Sequence, residues 1–490
     1  MIDITTASAG QLAEAIRRRE IGSLELLDAY AARIATHDRN LNAVVTLDLD
    51  RARKRAREAD DALVRGESWG PLHGLPITVK DSFETAGILT TSGFSQFAKH
   101  VPESDAVIVD RTVRAGAIVF GKTNLPTLAA DFQSYNPLFG TTNNPWNVER
   151  VPGGSSGGSA AALAAGFTSF EIGSDIGGSI RTPCNWCGVY GHKPTHGIIP
   201  GRGHIPGPPG TLAEIDLAVV GPMARSADDL DLLLGIQGGA STDRATAWKL
   251  DLPAPRRRRL AEYRAALWTD DDAFPVDPAV QSVLADAARA LRSAGVVVDE
   301  DARPAIRLAD VYDTYFRLLA PVMVAGFSSE QYAMMEAIAA SAPADAQDAA
   351  TLMARYGTDS HRTWLGANEA RERIRAAFAD FFTRYDVLLT PVTPVTAIAH
   401  DHSDPQSLRT ITVAGKKRPY FDLLGWIAPA TCALLPATAA PVGIAADGMP
   451  VGMQIVGPYL EDRTTIDFAK QMSEVVGGFR APKMGTGTIS

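Results

Sequence analysis

The sequence predicts an α/β protein with a largely parallel sheet. Short apolar or β-branched runs, such as Leu75–Asp81, Ala117–Phe120 and Asp386–Thr390, alternate with longer stretches of helical periodicity. Hydrophobic residues make up 46% and charged residues 21% of the 490, the balance of an ordinary globular enzyme. No internal repeat is found. The length allows two or three average domains, or one large α/β domain with elaborations.

Taken in order, Ser8-Ala9-Gly10-Gln11 reads as a capping box opening a helix to about Arg19. Gly22-Ser23 breaks it. Leu24, Leu27, Ala31 and Ile34 stripe a second helix, and a charge-rich third covers about Asp50 to Val64. These form an N-terminal helical apron over residues 1–68. Leu75–Asp81 is a buried strand ending in charge, where Lys80 reads on its own as a snorkelling structural residue, with a catalytic amine as the alternative. A helix from Ala106 to Arg114 precedes the strand at Ala117. The phosphate-loop reading of Gly121-Lys122-Thr123 fails because the upstream glycine is absent. A helix from Ser159 ends at Gly166, and Phe167–Ile172 reads as a strand. Gly201–Gly210 reads as a long exposed loop, and Leu212–Val220 as a further strand. Ala265–Trp268, Val296–Val298 and Met453–Val456 are strands as well, and the stretch from Pro304 to Arg384 is helical.

The net charge of −9 argues against a nucleic-acid surface, and the basic run Arg256–Arg259 reads as a solvated loop. No run of about 18 apolar residues is present, so no membrane span is expected, and the N-terminus lacks the features of a signal peptide. Three cysteines fit a reducing compartment, which places the protein in the cytoplasm. Cys184, Cys187, His192 and His196 suggest zinc at first sight. The gap from the second cysteine to the first histidine is too short for a finger, and no metal is expected.

The chemistry is concentrated in Gly153-Gly154-Ser155-Ser156-Gly157-Gly158-Ser159 and its echo, Gly173-Ser174-Asp175-Ile176-Gly177-Gly178-Ser179-Ile180-Arg181. Glycines let backbone N–H groups approach a ligand and form an anion-binding concavity, and the serines carry nucleophilic oxygens. A flexible linker is the bland reading, opposed by the direct entry into a helix. A nucleophile elbow is the second: Gly153–Gly157 satisfies G-x-S-x-G, but Asn147–Pro152 makes a poor preceding strand.

The third reading joins both pieces to Lys80. Pro152 through Arg181 resembles the amidase signature family. So do Leu72–Asp81, Gly121–Asn124, Asn143–Asn147, Gly191–Thr195 and Gly448–Gly457, a series covering about residues 70–225 and 386–465. The resemblance implies a mixed, mainly parallel central β-sheet flanked by helices on both faces in one domain over residues 1–490. The signature core would lie at 69–235 and 386–470, with a helical layer at 300–385 over the site mouth. By the same resemblance Ser179 matches the nucleophile, Ser155 the bridging serine after a cis peptide bond, and Lys80 the base.

A serine needs a neighbouring base, and a lysine can serve only when neutral, which burial favours. Ser155 can then accept from Ser179 and donate to Lys80. The N–H groups of Ile176, Gly177, Gly178 and Ser179 are the candidate oxyanion hole, and Asp175 and Arg181 brace the loop. The implied reaction is hydrolysis of a carboxylic amide, with esters and carbamates sharing the chemistry and with no cofactor. Ala129, Gly154 and Tyr315, with Tyr312, Phe316 and Met323, are candidates for the substrate pocket, where an apolar or aromatic acyl group would fit. The expected partner is a small-molecule amide, and a homodimer is left open. The alternatives are the glutaminase-type subunit of a tRNA-dependent amidotransferase, a histidine-dependent α/β-hydrolase and a silent scaffold of the same fold.

Overall fold

Helix ends and apolar stripes form three N-terminal helices close to where the sequence places them. In the helix Ala9–Arg17, the Ser8 hydroxyl accepts from Gln11 N–H at 3.1 Å, and the Gln11 amide oxygen accepts from Ser8 N–H at 2.9 Å. The next helix, Ser23–His37, starts at the Gly22 break, and Leu49–Val64 buries an alanine stripe at Ala52, Ala56, Ala59 and Ala62. The computed structural model describes residues 2–241, 243–484 and 488–489.

The largest sheet has eight strands, in the order Val297–Asp299, Arg264–Leu267, Val387–Pro391, Pro450–Val456, Ala437–Ile444, Tyr190–Lys193, Val219–Ala224 and Glu171–Asp175. The first three pair in parallel, and every other neighbour is antiparallel. The mixed α/β architecture is as expected, but parallel neighbours are fewer than the alternation of elements suggests. The cause is insertion. Glu171–Asp175 and Tyr190–Lys193, joined through the helix Arg181–Cys187, run in the same direction, yet Val219–Ala224 lies between them and opposes both. Pro450–Val456 separates Val387–Pro391 from Ala437–Ile444 in the same way. Helix-strand alternation reports direction and says nothing of adjacency.

A second sheet, in the order Val44–Leu47, Ile118–Thr123, Pro76–Lys80, packs its last strand against Glu171–Asp175. Sequence reading missed Val44–Leu47, Tyr190–Lys193 and Ala437–Ile444, and set the strand at Phe167 four residues too early. Helices Leu308–Val324, Ser329–Ser341, Ala349–Gly357 and His361–Phe381 form the helical stretch. The first of them buries Val311, Tyr315, Phe316 and Leu318, and the second buries none of its residues. Among the described residues, no helix is long and apolar enough to cross a membrane.

Candidate active site

Every residue of the strand Pro76–Lys80 is buried, so the strand's terminal amine is carried out of water. Lys80 Nζ lies 2.6 Å from Ser155 Oγ, and 3.0 Å from both Ser156 Oγ and Ser174 Oγ. All three partners are hydroxyls. Burial disfavours the ammonium and lowers Lys80 from 10.5 to about 7, against the opposing pull of Asp175 and Glu171. Burial thus favours the neutral amine at neutral pH, the state in which it can accept a proton.

The first glycine-serine loop carries a cis peptide bond at Gly154–Ser155 and enters the helix Gly157–Ala165. Position 154 admits no side chain: a Cβ there would lie 2.6 Å from the Phe132 carbonyl carbon. The second loop follows the strand Glu171–Asp175 and turns at Gly178, whose φ is +89°. Asp175 organises it. One of its oxygens accepts from Gly178 N–H at 2.9 Å and from Arg181 Nη2 at 2.8 Å. The other accepts from Ile180 N–H at 3.1 Å and Arg181 Nε at 3.0 Å. Burial alone would raise the Asp175 carboxyl, but the Arg181 charge and these hydrogen bonds outweigh it and hold it at about 2. The two loops are tied together by Ser156 N–H, which donates to the Ser179 carbonyl at 3.1 Å.

Ser155, Ser174, Asp175, Ile176 and Ser179 border one cavity, which leaves about 80 Å³ open to the centre of a water molecule. Its far wall is drawn from Gly197 to Val220. Ile199, Pro206, Ile215 and Ala218 make that wall largely apolar, while Arg202, His204 and Glu214 add polar groups. Ala129 borders the cavity too, held at a φ of +58° beside Leu128 at +51°.

The structure thus brings Lys80, Ser155 and Ser179 to one place, with Ile176 and Ala129 on the same cavity. Other candidates sit elsewhere. Gly154 packs against the backbone of Asp131–Gln133 and does not border the cavity. Tyr315 is fully buried behind the second loop, where its hydroxyl donates to the Ile176 carbonyl at 2.8 Å. Tyr312, Phe316 and Met323 share its helix, and no residue of the 300–385 stretch borders the cavity. The Gly178 N–H is already engaged by Asp175.

Sequence reading missed Ser156 and Ser174 as partners of Lys80. Adjacency to Ser155 was a signal for the first, and strand position next to Asp175 for the second. It also missed the wall. Gly201–Gly210 reads as an exposed loop, yet it carries His204, whose Nε2 is shut off from solvent with no partner among the described residues. Burial and the neighbouring Lys80 hold His204 down at about 3, so its ring is a weak base.

Other buried polar groups hold the framework. Glu171 accepts from the Thr78 hydroxyl, and burial raises its carboxyl to about 7. Lys122 Nζ donates to the Phe83 carbonyl at 2.5 Å and to Thr90 Oγ1 at 2.9 Å. The Cys187 thiol donates to the Pro152 carbonyl at 3.3 Å, and His192 is held by Thr438 at 2.9 Å and Asp462 at 3.0 Å. In the basic run, Arg256 pairs with Glu461 and Arg257 with Asp386.

Comparison with known proteins agrees with this geometry. Residues 25–466 match the Amidase family. The chain is 34% identical to a subunit of the glutamyl-tRNA(Gln) amidotransferase of Synechococcus sp. (strain CC9311), over 93% of this chain and 94% of that one. A bacterial aryl acylamidase of the amidase signature family superposes with a TM-score of 0.78 at 25% identity, covering 96% of each chain. A crystal structure described as an amidase gives 0.77 at 27% identity, covering 96% of this chain and 100% of that one. With the family match spanning most of its length and the lysine–serine cluster in place, the chain belongs to the amidase family, the amidase signature hydrolases.

Proposed function

We propose that this protein hydrolyses a carboxylic amide through an acyl-enzyme on Ser179, with Ser155 relaying the proton to neutral Lys80. The observation that carries the reading is the Lys80 amine, stripped of water and 2.6 Å from Ser155 Oγ, on the cavity that Ser179 also borders. The Ser179 hydroxyl oxygen bonds to the carbonyl carbon while its proton passes to Ser155, whose own proton moves to Lys80. The C–O π pair collapses onto oxygen, which the N–H groups of Ile176, Gly177 and Ser179 receive. Gly178 N–H serves Asp175 instead. The relay then runs backward to protonate the amine as the C–N bond breaks. Water repeats the sequence on the ester, releasing the acid and Ser179.

The reading takes the chain as one catalytic domain, supported by the contiguous apolar core that runs from Ile4 to Met472. Its apolar cavity wall suits a small uncharged acyl or aryl amide. Buried free thiols at Cys184, Cys187 and Cys432 suit the cytoplasm. The test is intact-mass and peptide mapping after fluorophosphonate treatment. A single adduct on Ser179, absent from Ser179→Ala and much slowed in Lys80→Ala, is expected. An adduct on Ser155 or Ser156 overturns the assignment.

A second reading, the glutaminase-type subunit of a tRNA-dependent amidotransferase, is favoured by the 34% identity to a protein of that kind. It requires glutamine as ammonia source and further subunits for transfer. Hydrolysis of non-glutamine amides by the purified chain alone excludes it.

A further inference from the structure

The helical stretch meets the second glycine-serine loop at Tyr315. Tyr315, on the helix Leu308–Val324, is 0% exposed, and its hydroxyl donates to the Ile176 carbonyl at 2.8 Å. That carbonyl belongs to the peptide unit whose other end is the Gly177 N–H. A trans peptide is planar, with C=O and N–H pointing in opposite directions, so fixing one fixes the other. The cis bonds among the described residues are Gly154–Ser155 and Asp404–Pro405, so the Ile176–Gly177 unit is trans.

We infer that Tyr315 is a positioning residue of the oxyanion site: it anchors the Ile176 carbonyl on the helix side and so turns the Gly177 N–H toward the oxygen of the substrate carbonyl whose carbon Ser179 attacks. The inference rests on the reading of Ser179 as nucleophile. Three further observations support it. Gly177 N–H has no acceptor among the described residues, whereas the next N–H along the chain is tied to Asp175. A Cβ on Gly177 would lie 3.4 Å from Tyr315 Oη and 3.1 Å from Leu424 Cδ2, so the peptide has little room to rock on that side. Burial raises the Tyr315 phenol well above its ordinary value, so it stays a donor across the working range of pH. A donor on the carbonyl also polarises the amide and strengthens the N–H at its far end.

The experiment compares Tyr315→Phe and Tyr356→Phe with wild type. Tyr356 gives its hydroxyl to Asp313 within the same helical stretch, away from the cavity, and serves as control. Three quantities are read: the rate of Ser179 phosphonylation by a fluorophosphonate, its pH midpoint, and the melting temperature. Removing an oxyanion donor outright costs on the order of 10²–10³ in rate, so a donor left unanchored is expected to cost at least about tenfold. Tyr315→Phe should show that loss with the pH midpoint, set by Lys80, unmoved, and Tyr356→Phe should label at the wild-type rate. Phosphonylation of Tyr315→Phe within twofold of wild type overturns the inference while leaving the nucleophile assignment intact. Failure of the wild type to label on Ser179 overturns both. Should Tyr315→Phe not fold, Gly177→Ala keeps the tyrosine and displaces the same peptide. The same slowing is expected there, and an unchanged rate counts against the inference.

Discussion

Asp175 is ion-paired with Arg181, and Lys80, which feels the same carboxylate through space, has no charged hydrogen-bond partner among the described residues. Asp175 is locked to Arg181 at 2.8 Å with both side chains fully buried, while among the described residues the Lys80 amine is hydrogen-bonded to hydroxyls alone. Asp175 acts on the lysine only at longer range, because its own hydrogen bonds go to Arg181 and the loop backbone. Burial then favours the neutral amine, the state the proposed base requires.

Activity should follow that amine. With Lys80 lowered to about 7, the rate of amide hydrolysis or of Ser179 labelling should rise with pH through about 7, as the ammonium gives way to the amine. Lys80→Met should lower the rate by roughly 10²–10⁴ and abolish the midpoint. A rate profile in the variant that keeps the wild-type midpoint would assign the base to another group.

Stability should respond in the same direction. A lysine whose pKa is lower in the folded than in the unfolded chain is penalised while charged. That penalty is full below about 7 and fades as pH rises toward 10.5. The melting temperature of the wild type should therefore gain on that of Lys80→Met between pH 6 and pH 9. A constant difference across that range would show that the amine stays charged in the fold.

Asp175→Asn keeps the shape and removes the charge opposite buried Arg181. Stranding one partner of a buried pair costs about 3–5 kcal/mol, so thermal unfolding should shift well down at pH 7. The Asp175 contribution is present above its ordinary value of 3.8 and is lost as pH falls toward about 2, so the gap between wild type and variant should close in acid. Equal melting temperatures at pH 7 would contradict the bracing role.

Glycine and alanine should behave in opposite ways at two positions near the cavity. Gly154→Ala places a methyl group 2.6 Å from the Phe132 backbone and should abolish labelling of Ser179. Ala129→Gly relieves a left-handed alanine, a conformation that costs about 1–2 kcal/mol for a residue with a Cβ. It should leave the melting temperature unchanged or raise it, unlike alanine-to-glycine changes in helices. A marked fall would show that the Ala129 methyl contributes more by packing than the backbone loses.

What the sequence made legible was the local chemistry. Capping at Ser8, the Gly22 break, the strand that ends at Lys80 and the two glycine-serine loops all follow from short-range pattern, and the structure places them as read. What escaped depended on contacts across the chain. Tyr190–Lys193 and Ala437–Ile444 are strands because they are buried between other strands, although their glycine, lysine and proline content argues against it. Tyr315 has a pocket residue's composition, but only tertiary packing decides that it faces the back of the Ile176 peptide. Ser174 points at Lys80 because the strand Glu171–Asp175 packs beside Pro76–Lys80, a neighbour relation that no spacing encodes.

The cavity's far wall comes from one uninterrupted piece of chain, Gly197 to Val220, while the reacting groups are held by separate, deeply buried strands and loops. On the proposed reading, recognition falls mainly to that piece and reaction to the buried loops, and the two meet where Val219 and Val220 pair with Asp175 and Ser174. A transplant of about two dozen residues, copied as a cassette from a relative, could exchange what the enzyme accepts without rebuilding how it cuts. Divergence of substrate range in such a scaffold then costs evolution one loop rather than a new fold.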